Sequence, residues 1–214
     1  LNERARDNQW YREEVFEEIY GKDSDGLPCH FHSNEPHKLF LNWLSRTFSK
    51  EYFSVVDVGC GCGRLLNFLP ENLKTYIGID VNPSAIEFAY NHFSENKKAT
   101  FHLFDIEEDG IGDIIGNKQD VIYFDSTFTM LRKPKECFSR MFEFCNIIYL
   151  ARTPHKVEKT TCDRYKWEGM IDDSENWNFS FLELNELLPS DWKLESIEEK
   201  DLVAYKENKF GDIV

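Results

Sequence analysis

Residues 55–64, VVDVGCGCGR, decide how this chain of 214 residues is read. Val55 and Val56 lead into Asp57 as a run of branched apolar residues predicts for a buried strand. Gly59, Gly61 and Gly63 then alternate with Cys60 and Cys62, and a helix is predicted beyond them. Glycine lets a backbone turn sharply or come close to a ligand, because it has no Cβ. A helix starting at such a turn points free N–H groups back at it, where they suit an anionic or hydrogen-bonding ligand. The stretch has the form of a nucleotide-binding turn.

Outward from this turn, helix and strand patterns alternate. A helix is predicted over 8–20, with Tyr11, Val15 and Ile19 on one face and Phe16 and Tyr20 beside them; residues 21–28 form a loop. Asn34 is placed to cap a second helix, with Pro36 in its first turn and Leu39, Phe40, Trp43, Leu44 and Phe48 facing the sheet. Strands are predicted over 53–58, 75–81, 100–105, 120–124 and 146–151. The first is followed by a short helix through Leu65, Leu66, Phe68 and Leu69 that Pro70 stops. Asn82 and Pro83 open another, running to about Phe93. A third starts at Pro134 and carries Phe138, Met141, Phe142 and Cys145. Residues 152–179 are polar, aromatic and irregular, too long for an ordinary connection. Ser180 and Glu183 form a capping box for a helix through Leu188, and 192–197 with 202–205 read as a closing antiparallel pair. The pattern is that of a doubly wound α/β domain, with a sheet parallel at its centre.

The glycine spacing separates two kinds of ligand. Dinucleotide enzymes use G-x-G-x-x-G, whereas here the glycines run G-x-G-x-G and a leucine stands where the later helix glycine would pack. Asp57 lies two residues before the first glycine, and D-x-G-x-G-x-G after a strand resembles motif I of class I S-adenosylmethionine-dependent methyltransferases. Asp80 ends the second strand in GIDVNPSAIEFA, and Asp105 follows the third in FHLFDI, both as that family places acids. The resemblance covers about residues 35–151 and 180–206. It implies a seven-stranded, mostly parallel sheet with an antiparallel C-terminal pair, an S-adenosyl-L-methionine cofactor and methyl transfer. Residues 1–50 would then be N-terminal helices acting as a lid, and 51–214 a cofactor-binding domain with a substrate insertion at 152–179.

Carried over residue by residue, the resemblance gives Asp80 the ribose hydroxyls and Asp105 the adenine amino group, with Phe104 and Ile106 flanking the ring. Val81 sits beside Asp80. The backbone of Gly59, Cys60, Gly61 and Gly63 would meet the amino-acid part, and Asp57 would orient the loop or reach the ammonium through water. The chemistry agrees: an ionised carboxylate accepts hydrogen bonds and donates none, which suits a diol or an exocyclic amine. Plainer roles stand beside these, Asp80 as an extra helix cap and Asp105 as a turn former.

Methyl transfer from a sulfonium needs alignment and exclusion of water more than a dedicated base. Asp125 heads the loop after the fourth strand, at the carboxyl edge where open α/β sheets bind ligands, and is the first candidate for cofactor or acceptor contact. His155 is a candidate base by its ordinary pKa, or else an exposed loop histidine. Tyr11 is a third candidate catalytic group, or else core. Arg152, Arg164, Tyr165, Lys166, Trp167 and Trp177 would build the acceptor pocket, for an amine or for a carboxylate or phosphate.

Composition narrows the partners. With 39 acidic and 25 basic residues the net charge is −14, and no basic patch offsets it, so nucleic acid is an unfavourable partner. Arg132, Lys133 and Lys135 look like a solvated helix entrance. Cys29, His30, His32 and His37 cluster but lack metal-site spacing, so no metal is expected and the segment reads as a loop near the cofactor. No apolar run is long enough for a membrane and no leader pattern is visible, so a cytoplasmic protein with free thiols is expected. The expected activity is methylation of oxygen or nitrogen on a small-molecule acceptor. The rivals are a methyltransferase of protein or RNA groups, and a non-catalytic cofactor-binding partner subunit. Oligomeric state is left open.

Overall fold

Val55 and Val56 lie in β1 (Phe53–Val58), a strand buried along its whole length. A continuous buried run is what a central parallel strand requires, because helices cover both of its faces. The computed structural model describes residues 27–28, 31–49, 51–165, 174–197 and 200–207. The helix expected over 8–20, with Tyr11 and Tyr20, lies outside the described residues, as do Cys29, His30, Lys166 and Trp167.

The remaining strands are β2 (Leu73–Asp80), β3 (Ala99–Leu103), β4 (Gln119–Asp125), β5 (Cys145–Ala151), β6 (Lys156–Tyr165), β7 (Ser174–Ser180), β8 (Trp192–Ser196) and β9 (Leu202–Lys206). Seven of them form one sheet in the order β3-β2-β1-β4-β5-β9-β8. β1 to β5 pair in parallel, and β9 runs antiparallel to both β5 and β8. The chain order reverses between β1 and β4, which opens a crevice at their carboxyl ends. This is the doubly wound, mostly parallel sheet with an antiparallel C-terminal pair.

Helices cover both faces. α1 (Lys38–Thr47) buries Phe40, Trp43 and Leu44 on one face, against Val55, Tyr123 and Tyr149. Each such side chain contributes about 1.5–3 kcal/mol relative to exposure. α2 (Pro83–His92) starts where expected, with the Asn82 side chain accepting the Ala85 N–H at 3.0 Å. α3 (Ile111–Ile115), α4 (Pro134–Met141) and α5 (Phe181–Asn185) pack on the other face through Ile111, Ile115, Phe138, Met141 and Leu184.

Several expectations are corrected. Asn34 starts a 3-10 turn over Glu35–His37, yet its side chain makes no cap hydrogen bond. The helix after the glycines is also a 3-10 turn, Arg64–Phe68. α3 was not marked by any pattern, and α5 ends at Asn185 rather than near Leu188. The insertion is not irregular: β6 and β7 pair as an antiparallel hairpin. Its strands are mostly Lys, Glu, Thr, Asp and Asn, and the apolar alternation that announces a strand is confined to Trp177 and Phe179 at the end of β7. Trp177 anchors the hairpin to the sheet by donating its indole N–H to the Leu131 carbonyl at 2.7 Å.

Candidate active site

The glycine loop crosses from β1 into the crevice strapped to β2. The N–H groups of Gly59 and Cys60 both donate to the Ile79 carbonyl, at 2.8 and 3.1 Å. Gly59 has φ +76°, and a Cβ there would sit 1.9 Å from Thr127 Oγ1. The loop can therefore lie against the turn after β4 only with hydrogen at that position. Gly63 (φ +77°) is confined in the same way by the rings of Phe93 and Phe101, each 2.9 Å from a notional Cβ. Cys60 and Cys62 are buried, and burial pushes the Cys62 thiol up to about 11, so both are packing groups.

Asp80 serves the loop from beneath. Its Oδ2 accepts the Gly61 N–H and its Oδ1 the Asn82 N–H, each at 2.8 Å. Burial raises its pKa, and those two backbone donors work in the opposite direction. Asp105 forms a turn by accepting the Glu107 N–H at 2.9 Å, and Arg132 donates to its other oxygen at 3.2 Å. Asp105 is thus a turn former, whereas the helix cap is Asn82 and Asp80 instead ties the Asn82 and Gly61 amides together. A carboxylate has about four lone-pair sites, so each retains acceptor capacity for a diol or an amine. Phe104 is half-buried beside Asp105, while Ile106 is buried in the core. Val81 is half-buried next to Asp80. With left-handed glycines above two under-used carboxylates, the donor and acceptor set fits an adenosyl amino-acid cofactor.

Below the loop lies a buried polar layer. Tyr76 donates its hydroxyl to Asp57 Oδ2 at 2.6 Å, and Asp57 is 3% exposed. Burial raises the Asp57 carboxyl to about 7, against the Tyr76 hydrogen bond. Asp57 therefore holds the strand ends from inside the protein.

A second cluster spans the ends of β4 and β5. Arg64 donates its Nε–H to His37 Nε2 at 3.3 Å, which puts the ring proton on Nδ1. That Nδ1–H faces the Tyr123 hydroxyl at 3.0 Å and Asp125 Oδ2 at 3.4 Å. Burial, helped by Arg64 and Arg152, lowers the His37 pKa to about 3, so its ring stays neutral. Asp125 Oδ1 accepts Arg152 Nε–H at 2.5 Å. Burial raises the Asp125 carboxyl, and this ion pair works against the rise. Ser126 and Arg152, just past the two strand ends, have φ +58° and +53°. A left-handed backbone costs a non-glycine residue about 1–2 kcal/mol and marks places where surrounding structure imposes a geometry. At Arg152 the imposing group is buried Asp201, which accepts its amide N–H and the Tyr149 hydroxyl, both at 2.9 Å.

The glycine loop, Asp57, Asp80 and Asp125 thus meet at one sheet edge, with Asp105 at the neighbouring strand end. His155 does not take the acid–base role. It is buried, its Nδ1 faces the Thr153 carbonyl and its Nε2 the Ser196 hydroxyl, both at 2.9 Å. It clasps the chain after β5 to β8, and neither nitrogen is left for an acceptor. The stretch at Arg132 is an exposed helix entrance as expected, and its cations are also paired: Arg132 with Asp105 and Glu107, and Lys135 with Glu183. Among the described residues, no three His, Cys, Asp or Glu side chains form a group that could hold a metal ion. Also among them, no helix is long and apolar enough to cross a membrane. His37, Arg64, Tyr123 and Asp201 carry the second cluster without any motif to announce them. The one available signal was a cation set directly after a glycine turn in an acidic chain.

Comparison with known proteins agrees with this arrangement. A family model described as a methyltransferase domain matches residues 49–206. No curated protein matches the sequence. Among solved structures, the magnesium protoporphyrin IX methyltransferase of Synechocystis PCC 6803 with bound SAH superposes with a TM-score of 0.66 at 12% identity, over 96% of this chain and 100% of that one. A sugar N-methyltransferase from a Streptoalloteichus species gives 0.60 at 13%, over 94% and 95%. An S-adenosylmethionine-dependent methyltransferase from Clostridium acetobutylicum gives 0.57 at 12%, over 79% and 92%. At such identities the likeness is one of fold.

Proposed function

As a member of the methyltransferase-domain family, the chain is an S-adenosylmethionine-dependent methyltransferase, and we propose that it methylates an oxygen or nitrogen of a small molecule. The observation that carries the acceptor class is the edge formed by Asp125 and Arg152: a narrow charged pair at two strand ends, in a chain of net charge −14. A nucleic-acid acceptor would have to overcome that charge at long range.

The cofactor supplies a methyl group on a positively charged sulfur, already activated toward displacement. Asp80 would hold the ribose hydroxyls and Asp105 the adenine amine, through the lone pairs that their backbone and arginine partners leave open. The loop from Gly59 to Gly63 would carry the amino-acid portion. Asp125 would accept a hydrogen bond from the acceptor's O–H or N–H, aligning the nucleophile for an in-line approach. His37 keeps its proton on Nδ1 and its Nε2 engaged by Arg64, so it fixes Asp125 rather than removing a proton itself. The hairpin of β6 and β7 would wall the acceptor side.

The test is turnover to S-adenosylhomocysteine by the isolated chain, supplied with pools of small hydroxyl and amine compounds, with peptides and with RNA. Product above background with a small-molecule pool is expected. Product with peptide or RNA alone would overturn the acceptor class. Binding without turnover in any pool would point to a cofactor-binding subunit.

A further inference from the structure

Arg152 is held with more constraint than an ion pair with Asp125 requires. Its backbone is left-handed at φ +53°, and buried Asp201 fixes its amide at 2.9 Å. Its guanidinium approaches Asp125 side-on, donating Nε–H to Oδ1 at 2.5 Å. An arginine kept only to neutralise a carboxylate does best with two parallel N–H···O bonds. Among the described residues one of its five N–H donors is used, and the two Nη groups have no partner. The Arg152 side chain is 48% exposed while its Asp125 partner is 9% exposed, so the unused end of the fork faces outward from a buried support.

His37 is neutral and holds Arg64 on its far nitrogen at 3.3 Å. Arg64 and Arg152 stand beside Asp125, with Asp57, Asp80 and Asp201 also near, so an anion site here rests on the geometry of the Arg152 fork and not on a surplus of positive charge. Arg64 follows the glycine loop directly, whereas Arg152 lies just past β5.

We propose that Arg152 is an acceptor-recognition residue: the outward edge of its guanidinium binds a carboxylate or phosphate group carried by the small molecule. Asp125 and Asp201 hold that edge in place. The oxyanion is the recognition handle, and the methylated oxygen or nitrogen is a separate group presented to the cofactor. This rests on the reading of the strand edge as the acceptor site of a methyltransferase.

The experiment uses the full chain saturated with S-adenosylhomocysteine, titrated at matched ionic strength with benzoate, phenyl phosphate and benzamide, and followed by nuclear magnetic resonance. At least one anion should bind tenfold or more tightly than neutral benzamide, and the one that does so identifies carboxylate or phosphate. Arg152→Gln should reduce that affinity at least tenfold, and Arg152→Lys should restore part of it, with affinity for S-adenosylhomocysteine unchanged as the check on folding. Equal binding of benzamide and both anions overturns the proposal, as does absence of anion binding, or unchanged anion affinity in Arg152→Gln. Should that variant misfold, the comparison of anions with benzamide on the native chain decides alone. Failure of S-adenosylhomocysteine itself to bind would instead overturn the underlying cofactor assignment, so the two failures are separate.

Discussion

Gly59 shows how one missing side chain sets the geometry of a site. Its φ of +76° is one constraint, and the 1.9 Å between a notional Cβ and Thr127 Oγ1 is another. They can be separated by experiment. Gly59→Ala should destabilise the protein by roughly 2–5 kcal/mol, from the left-handed backbone plus overpacking. In a Thr127→Gly background the steric part disappears, and the same change should cost only about 1–2 kcal/mol. Chemical denaturation of the four proteins measures both, and equal costs in the two backgrounds would show that Thr127 is not the constraint. The need for glycine here was legible in the sequence. Thr127 as its reason was not, because contact between the turns after β1 and β4 arises only once those strands are neighbours. His37 was obscured in the same way: it stood among other histidines, and its partners come from two other elements, Arg64 from the 3-10 turn after the glycines and Tyr123 and Asp125 from β4.

At the scale of elements, the strand ends hold two groups whose titrations oppose each other. His37 is lowered from 6.5 to about 3, and Asp57 is raised from 3.8 to about 7. Between about pH 4 and 6.5 the unfolded chain binds a proton at His37 that the folded chain refuses, so acidification costs stability there. Over the same range the folded chain keeps a proton on Asp57 that the unfolded chain has lost, so acidification adds stability. His37 faces Arg64, Arg152, Asp125 and Tyr123; Asp57 faces Tyr76, Asp125, Asp80 and Arg64. His37→Asn should therefore gain stability relative to the native chain as pH falls from 7 to 4. Asp57→Asn should do the reverse, being best relative to the native chain at pH 7 and losing ground below it. Each slope is at most about 1.4 kcal/mol per pH unit. Denaturation midpoints across that range check the signs, and parallel profiles for both variants and the native chain would contradict them. The elements themselves differed in legibility. β1 and β5 were plain, since a strand buried on both faces is mostly branched apolar and aromatic residues. β6 and β7 were hidden because most of their positions are polar, and the apolar pair that packs on the core, Trp177 and Phe179, spans only the end of β7.

For the whole molecule, the alternation of strand and helix was enough to place the crevice, because a reversal of strand order in a parallel sheet leaves a gap at the carboxyl ends. The glycine turn, Asp80 and Asp105 all reach that side because each follows its strand immediately. The acceptor end was less legible, since Arg152 gains its role from Asp201, a residue 49 positions away in the chain. Charge acts on the same scale: a net −14 does not choose the fold, but it biases which acceptors can approach. The central claim is that this crevice binds an adenosyl amino-acid cofactor with Asp80 on its ribose. Calorimetric titration of the native chain and of Asp80→Ala with S-adenosylhomocysteine tests it most directly. The native chain should bind at a single site with Kd between about 1 μM and 1 mM. The variant should bind roughly tenfold more weakly or worse, because two hydroxyls lose their acceptor. No heat of binding to the native chain, or equal affinity in the variant, would contradict it.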